Sequence, residues 1–261
     1  MSARRVWTRR LMGTVFSVHL IGHVDDARAD AGVQAFFAEI DELERIFSPF
    51  LAESEISRMR RGELLPEGAD PRVGEVAEAC RAAEIATGGR FSATWRGGFD
   101  PTGYVKGWAV DRAGGAHLAP LLELPGAIAV GVGAGGDIRT WTAPGAAWSW
   151  HVGIADPRRP GEVLATVDLV SGAVATSGVA ERGAHIIDPR TGEPALGALS
   201  VTVVAGTLAL ADVWATAGMV AGTADLSWTG AEGIDSGFVV PQEGAVHRGI
   251  RGVELEVVAA A

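Results

Sequence analysis

Apolar positions along the chain switch between a spacing near 3.6 and a strict alternation, and the switches mark out the elements. Val33, Phe36, Phe37, Ile40, Leu43 and Phe47 recur at helical spacing, so a helix is expected over 26–47, with Pro49 ending it. Before it, Val15, Ser17 and His19 alternate with Phe16, Val18 and Leu20, the pattern of a half-buried strand over 12–21. Asp70-Pro71 offers an N-cap followed by proline at the first helical position, and that helix should run to Gly88-Gly89. A third helix is expected over 104–123, interrupted or frayed at Gly114-Gly115. Strands follow at 127–132, 148–154, 163–170, 173–176, 184–187 and 200–205. The Ala-rich stretch from Leu208 to Val220 favours helix, and short strands near 237–240 and 252–258 come after it. Helices first, then mostly consecutive strands, predict an α+β fold rather than a doubly wound parallel sheet. With no repeat, low-complexity linker or clear boundary, the 261 residues read as one large domain or two closely packed lobes.

Composition narrows the function. Hydrophobic residues make up 48% and charged residues 21%, enough apolar material for a sizeable core. A formal net charge of -10 disfavours generic binding to nucleic acid. A phosphate ligand would have to be held by local backbone amides, a few cations or a metal. The single cysteine, Cys80, can make no internal disulfide and belongs to no zinc-type cluster; among Ala and Val it reads as a buried, inert thiol. Arg4-Arg5, the stretch Leu11 to Gly22, and Ala27-Arg28-Ala29 together mimic a secretory leader. The apolar part is short and carries Ser17 and His19, so a strand is the better reading. No run of 18 apolar residues occurs, and the expectation is a cytoplasmic protein with no membrane insertion.

Four segments could carry chemistry. In the helix over Leu208–Val220, Asp212 and Thr216 stand four residues apart, on one face and one turn from each other. Two hard oxygens on an otherwise apolar helix suit Mg2+ or Ca2+, although an Asp near a helix start is more often a cap. In Phe99–Asp111 a Pro-Thr-Gly turn opens a helix with Lys106 in its first turn, where free amides and one cation suit an anion. A Lys there opposes the helix dipole, so a partner explains it better than local stability; a solvated Lys beside a turn-forming Asp100 is the plainer alternative. Gly131-Val-Gly133-Ala-Gly-Gly136 has a dinucleotide-like glycine spacing, but Asp137-Ile-Arg-Thr-Trp141 continues as strand rather than helix. A tight hairpin is the plainer reading, and it is compatible with the loop also flanking a cofactor. Finally, Thr176-Ser177-Gly178 precedes His185-Ile-Ile187-Asp188-Pro-Arg-Thr-Gly192, strong turn chemistry with a histidine able to act as a base near neutral pH, or to serve only structure.

Taken together these segments resemble the ApbE family, the FAD:protein FMN transferases. The likeness runs in order from Met12-Gly13-Thr14 to about Gly222. It includes Ser54-Glu55-Ile56-Ser57-Arg58, Asp100 to Asp111 with Lys106-Gly107, Gly135-Gly136-Asp137, Thr176-Ser177-Gly178, His185 to Pro194, and Ala211-Asp212-x-x-Ala215-Thr216. The resemblance implies an α+β, T-fold-related arrangement of antiparallel sheet and helices with a flavin cleft. It implies FAD and Mg2+ as ligands, cleavage of the pyrophosphate, transfer of FMN to a Thr or Ser of an acceptor flavoprotein, and release of AMP. By the same matching, Asp212 and Thr216 are metal ligands, with Ala215 and backbone oxygen near Gly103. Met12, Arg90, Phe91, Ser92, Asp100 and Ile187 fall at FAD-contact positions, Lys106 faces the phosphates, and His185 is a candidate base. Where the family usually has Gly-x-Phe-Asp, this chain has Gly89-Arg90-Phe91-Ser92, a lost charge that keeps a non-catalytic flavin binder as an alternative; a FAD pyrophosphatase is another, since the resemblance includes members that mainly hydrolyse FAD to FMN and AMP. One of the eight tryptophans could stack on the flavin, although core packing is the commoner use.

Overall fold

The computed structural model describes residues 3–95, 97–179 and 186–256. The expected strand over 12–21 is one arm of a hairpin: β1 (Arg4–Leu11) pairs antiparallel with β2 (Thr14–Gly22), turning at Met12 and Gly13, both with positive φ. Sequence pattern missed β1 because Arg4, Arg5, Arg9 and Arg10 break its apolar alternation. It forms one edge of the sheet, where charged side chains guard unpaired backbone. The helix α1 (Asp26–Phe47) matches expectation, capped by Asp25, and a short helix α2 (Glu55–Arg60) capped by Ser54 follows. In α3 (Pro71–Ala86) the Asp70 side chain accepts from the Arg72 amide, as expected of Asp-Pro. The helix expected over 104–123 divides at Gly114: α4 (Thr102–Ala113) gives way to a π-helical turn over Gly114–Leu118 and a 3-10 turn over Ala119–Glu123. A side chain at Gly114 would drive its Cβ to 2.3 Å from the Trp141 ring, so the break brings the backbone onto that indole.

Strands β3 (Ala127–Ala134) and β4 (Asp137–Thr142) form the expected hairpin, closed by Gly135 and Gly136 with positive φ. They are followed by β5 (Trp150–Ala155), β6 (Val163–Leu169), β7 (Gly172–Gly178) and β8 (Ser200–Ala205), then α5 (Leu208–Ala221), β9 (Ile234–Val240), β10 (His247–Ile250) and β11 (Val253–Glu256). At 184–187 the described part, Ile186-Ile187, shows one isolated bridge from Ile187 to Pro194 in place of the expected strand. The main sheet is antiparallel in every pair, with order β1-β2-β3-β4-β7-β8-β9-β10-β11, and the protein is α+β.

One face of this sheet carries Phe16, Val18, Leu20, Val130, Val132, Ala175 and Val203 into a core shared with α1, α4 and α5. Residues of opposite parity point to the other face. There the β5–β6 hairpin lies across the sheet, with Val152 and Leu169 against Val174 and Val204. Strand β8 is buried along its whole length, covered from both sides. Among the described residues no helix is long and apolar enough to cross a membrane.

Candidate active site

The N-terminal turn of α5 meets the middle of α4 because of one residue. A Cβ at Gly107 would lie 2.8 Å from the Ala209 amide nitrogen, the Ala209 Cα and the Leu208 carbonyl, so the two helices approach at a distance only glycine allows. Asp111, one turn further along α4, completes the junction. Its carboxylate accepts from the amides of Leu208 (3.0 Å) and Ala209 (2.8 Å), the first two of α5, and from Arg139 Nε (2.8 Å) on β4. Thr207 caps the same helix through the Leu210 amide, so Asp212, in the second turn, is relieved of the capping role that sequence statistics would give it.

The consequence is a charged cluster beneath a cleft. Lys106 Nζ donates to Asp137 Oδ2 and lies 3.3 Å from Asp212 Oδ2. Asp137 opens β4 directly after the Gly135-Gly136 turn, and its other oxygen accepts from the Thr176 amide of β7 at 3.0 Å. Burial pushes the Lys106 ammonium down, but the Asp212 and Asp137 charges outweigh it and hold its pKa above the usual lysine value. Thr216 lies one turn beyond Asp212, its hydroxyl 3.3 Å from that of Ser177. The cleft above has a volume of about 770 Å3, within the usual range for small-ligand sites, and the β5–β6 hairpin forms its far wall through Val152, Gly153 and Ile154. A pair of buried carboxylates with one lysine between them carries an excess negative charge, which beside hydroxyl oxygens suits a hard cation.

The sequence model of the ApbE family matches residues 12–98 and 96–235. The chain belongs to the ApbE family. Among curated relatives, the FAD:protein FMN transferase of Klebsiella pneumoniae (strain 342) is 37% identical over 127 residues, 45% of this chain and 35% of that protein. The FAD:protein FMN transferase of Rhodobacter capsulatus is 38% identical over 131 residues, 47% of this chain and 24% of that protein. The matched stretch thus spans about a third or less of these relatives' length. Among solved structures, the ApbE protein from Thermotoga maritima superposes with a TM-score of 0.77 at 24% identity, covering 94% of this chain and 97% of that one. The flavinyl transferase ApbE of Pseudomonas stutzeri gives 0.74 at 19% identity, covering 98% and 95%. These likenesses establish the fold.

In this ApbE chain most of the residues singled out from sequence line one cleft: Arg90, Phe91, Ser92, Asp100, Gly103, Lys106, Ile187, Asp212 and Thr216. Gly103 is held against the Phe91 ring, which a Cβ there would approach to 3.1 Å. Asp100 is paired with Arg60 at 3.1 Å and accepts from the Thr102 amide and hydroxyl at the start of α4. Arg90 reaches Asp225 at 2.6 Å. Ser92 Oγ accepts from the Thr94 amide at 3.2 Å, the local turn that an Asp carboxylate would make, so the substitution keeps the backbone and drops the charge. Ala215 is fully buried and could offer a metal only its carbonyl. Met12 packs against the core at the β1–β2 turn, away from the cleft lining. His185 lies outside the described residues. Asp137 stands in its glycine turn with no role legible from the sequence; a carboxylate directly after two glycines at a hairpin start is the available signal. Trp95 lines the cleft, whereas Trp214 and Trp228 stack on each other in the core, centroids 6.2 Å apart.

Proposed function

We propose that this ApbE protein is a Mg2+-dependent FAD:protein FMN transferase. An acceptor Thr or Ser hydroxyl attacks the FMN-side phosphorus of FAD, the P–O–P bond breaks, AMP leaves, and the hydroxyl proton passes to a base. The observation that carries the reading is the Lys106–Asp137–Asp212 cluster set beneath the cleft, together with the family and the printed activity of its curated relatives. Phosphoryl transfer asks chiefly for alignment and charge stabilisation, which Lys106 and a cation held at Asp212 would supply together.

Asp137 and Asp212 hold the Lys106 ammonium in place, and Lys106 faces the pyrophosphate as a fixed positive charge. Phe91 and Ile187 supply apolar surface for the flavin side, with Arg90, Ser92 and Asp100 as polar neighbours. The donor set fits Mg2+: a carboxylate from Asp212, a hydroxyl from Thr216, and carbonyls from Gly103 and Ala215 are all hard oxygens. Among the described residues no group of three His, Cys, Asp or Glu stands together to hold a metal ion, so the proposed set relies on one carboxylate with hydroxyl and carbonyl oxygens. When bound, Mg2+ would offset the diphosphate charge and polarise the phosphoryl oxygens. His185 is the candidate base. The 1–261 chain acts in this reading as a single ApbE-type unit in the cytoplasm, where its buried Cys80 stays a thiol.

Incubation with FAD, Mg2+ and a candidate flavoprotein, followed by mass spectrometry, tests this. A covalent FMN adduct with matching AMP is expected, and Asp212→Ala should abolish it. FMN and AMP without labelling would instead make the protein a pyrophosphatase, and tight FAD binding without AMP a flavin-binding module.

A further inference from the structure

A second cavity, of about 490 Å3, lies on the face of β1–β4 opposite the core and meets the active-site cleft at Gly135, Gly136 and Asp137. Its floor is low because β3 contributes glycines: a Cβ at Gly131 would come within 3.0 Å of the Trp150 ring, and one at Gly133 within 2.7 Å of Ser17 Oγ. Trp150 stands as one wall. Arg4 and Arg10 line the opposite side, both exposed on β1.

The polar groups on the floor are set to donate. Arg4 Nη2 lies 2.9 Å from His19 Nδ1, and a guanidinium can only donate, so that nitrogen accepts and the ring proton sits on Nε2. Nε2–H then donates to Ser17 Oγ at 3.0 Å, so the serine keeps its own proton to donate. Burial, reinforced by the Arg4 charge, lowers the His19 pKa and keeps this arrangement at neutral pH. Among the described residues the one carboxylate lining the cavity, Asp137, is engaged by Lys106 and the Thr176 amide. On a chain of net charge -10 this is a local site for negative charge.

Spacing decides what kind of anion. Arg4 and Arg10 are six residues apart on the same face of one strand, roughly 20 Å. One phosphate or small dicarboxylate cannot reach both, whereas an extended peptide of about six residues can. The Arg10 end is the one beside the cleft, since the Gly135 amide bonds to the Val15 carbonyl and Val15 pairs with Arg10.

We infer that this groove receives an extended acidic segment of the acceptor protein and leads its neighbouring hydroxyl residue across the Gly135-Gly136 turn into the cleft. The inference rests on the transferase reading, deepening it with a docking surface. Two rhodamine-labelled peptides test it, each with one Thr beside a six-residue run, rich in Asp and Glu in one and in Asn and Gln in the other. Binding to the FAD-loaded protein is read by anisotropy. Exposed ion pairs are individually weak, so the acidic peptide should bind about tenfold tighter in low salt. Arg4→Glu with Arg10→Glu should erase that preference while FAD affinity, read from flavin fluorescence, is unchanged. Arg4→Gln with Arg10→Gln, milder for folding, should reduce it. Equal binding of the two peptides, or an acidic preference that survives charge reversal, overturns the inference. Arginine-dependent peptide binding with no FMN on any hydroxyl would sink the transferase reading and leave the groove's preference standing.

Discussion

Gly107→Ala is the sharpest test of how the site is assembled. The new Cβ would meet three backbone atoms of α5 at 2.8 Å, about 0.7 Å inside the ~3.5 Å at which such atoms rest. None of the three belongs to a flexible side chain, so α4 and α5 must move apart. Overpacking of this kind costs about 1–3 kcal/mol, while replacing glycine by alanine inside a helix returns about 1 kcal/mol. The net loss of about 1 kcal/mol corresponds to a fall in Tm of about 2–4 °C. Activity should suffer far more. Lys106 is carried by α4 and Asp212 by α5, 3.3 Å apart, and a displacement approaching 1 Å at a reacting centre can cost roughly a hundredfold in rate. The assay is single-turnover AMP release at saturating FAD and Mg2+, beside a thermal melt and an FAD titration. Gly74→Ala on α3 is the control: nothing lies within 4 Å of its Cβ, and a gain of about 0.5–1 kcal/mol with full activity is expected. A Gly107→Ala protein that turns over at the wild-type rate would refute the claim that this close approach sets the Lys106–Asp212 geometry.

Asp111→Ala leaves the Leu208 and Ala209 amides and the Arg139 guanidinium without their carboxylate; denaturant unfolding should show a loss of about 3 kcal/mol, with Asp111→Asn recovering part of it. Lys106→Met leaves Asp137 and Asp212 without their cation. Its melting temperature should fall below that of wild type, because two buried carboxylates lose the charge that faces them. In the metal-free wild type the Lys106 pKa is raised, so its contribution to stability is intact below the ordinary lysine value of about 10.4 and lost only as pH climbs through the folded value, which melts in metal-free buffer check. The hydrogen bond from Arg72 holds the Asp70 carboxyl down to about 2. The unfolded chain therefore binds more protons between about pH 4 and that value, and stability falls with pH there; an Asp70→Ala melt series should show a deficit of about 1 kcal/mol at pH 7 that vanishes on acidification.

Local patterns were legible where local physics decides them. The α1 stripe, the Asp70-Pro71 start, the break at Gly114-Gly115 and the Gly135-Gly136 hairpin follow from spacing, capping and positive φ, and each stands where the sequence places it. Strand β1 was hidden because edge strands exchange apolar alternation for charge. Motif order carried the family, and with it the expectation that Lys106, Asp212 and Thr216 belong together. Asp137 and Asp111 were visible as residues but mute as roles, since their partners are 31 and 97 positions away.

The sequence by itself determined where most elements begin and end, which residue types can meet a diphosphate and a hard cation, and which family the chain resembles. Only the tertiary structure decided that Gly107 lets α4 onto α5, that Lys106 is clamped between two carboxylates, and that a basic groove opens beside the cleft. Backbone propensity and periodicity act over a turn or two of chain. Ion-pair geometry and cavities arise when strands paired across the sheet bring distant residues within a few ångströms.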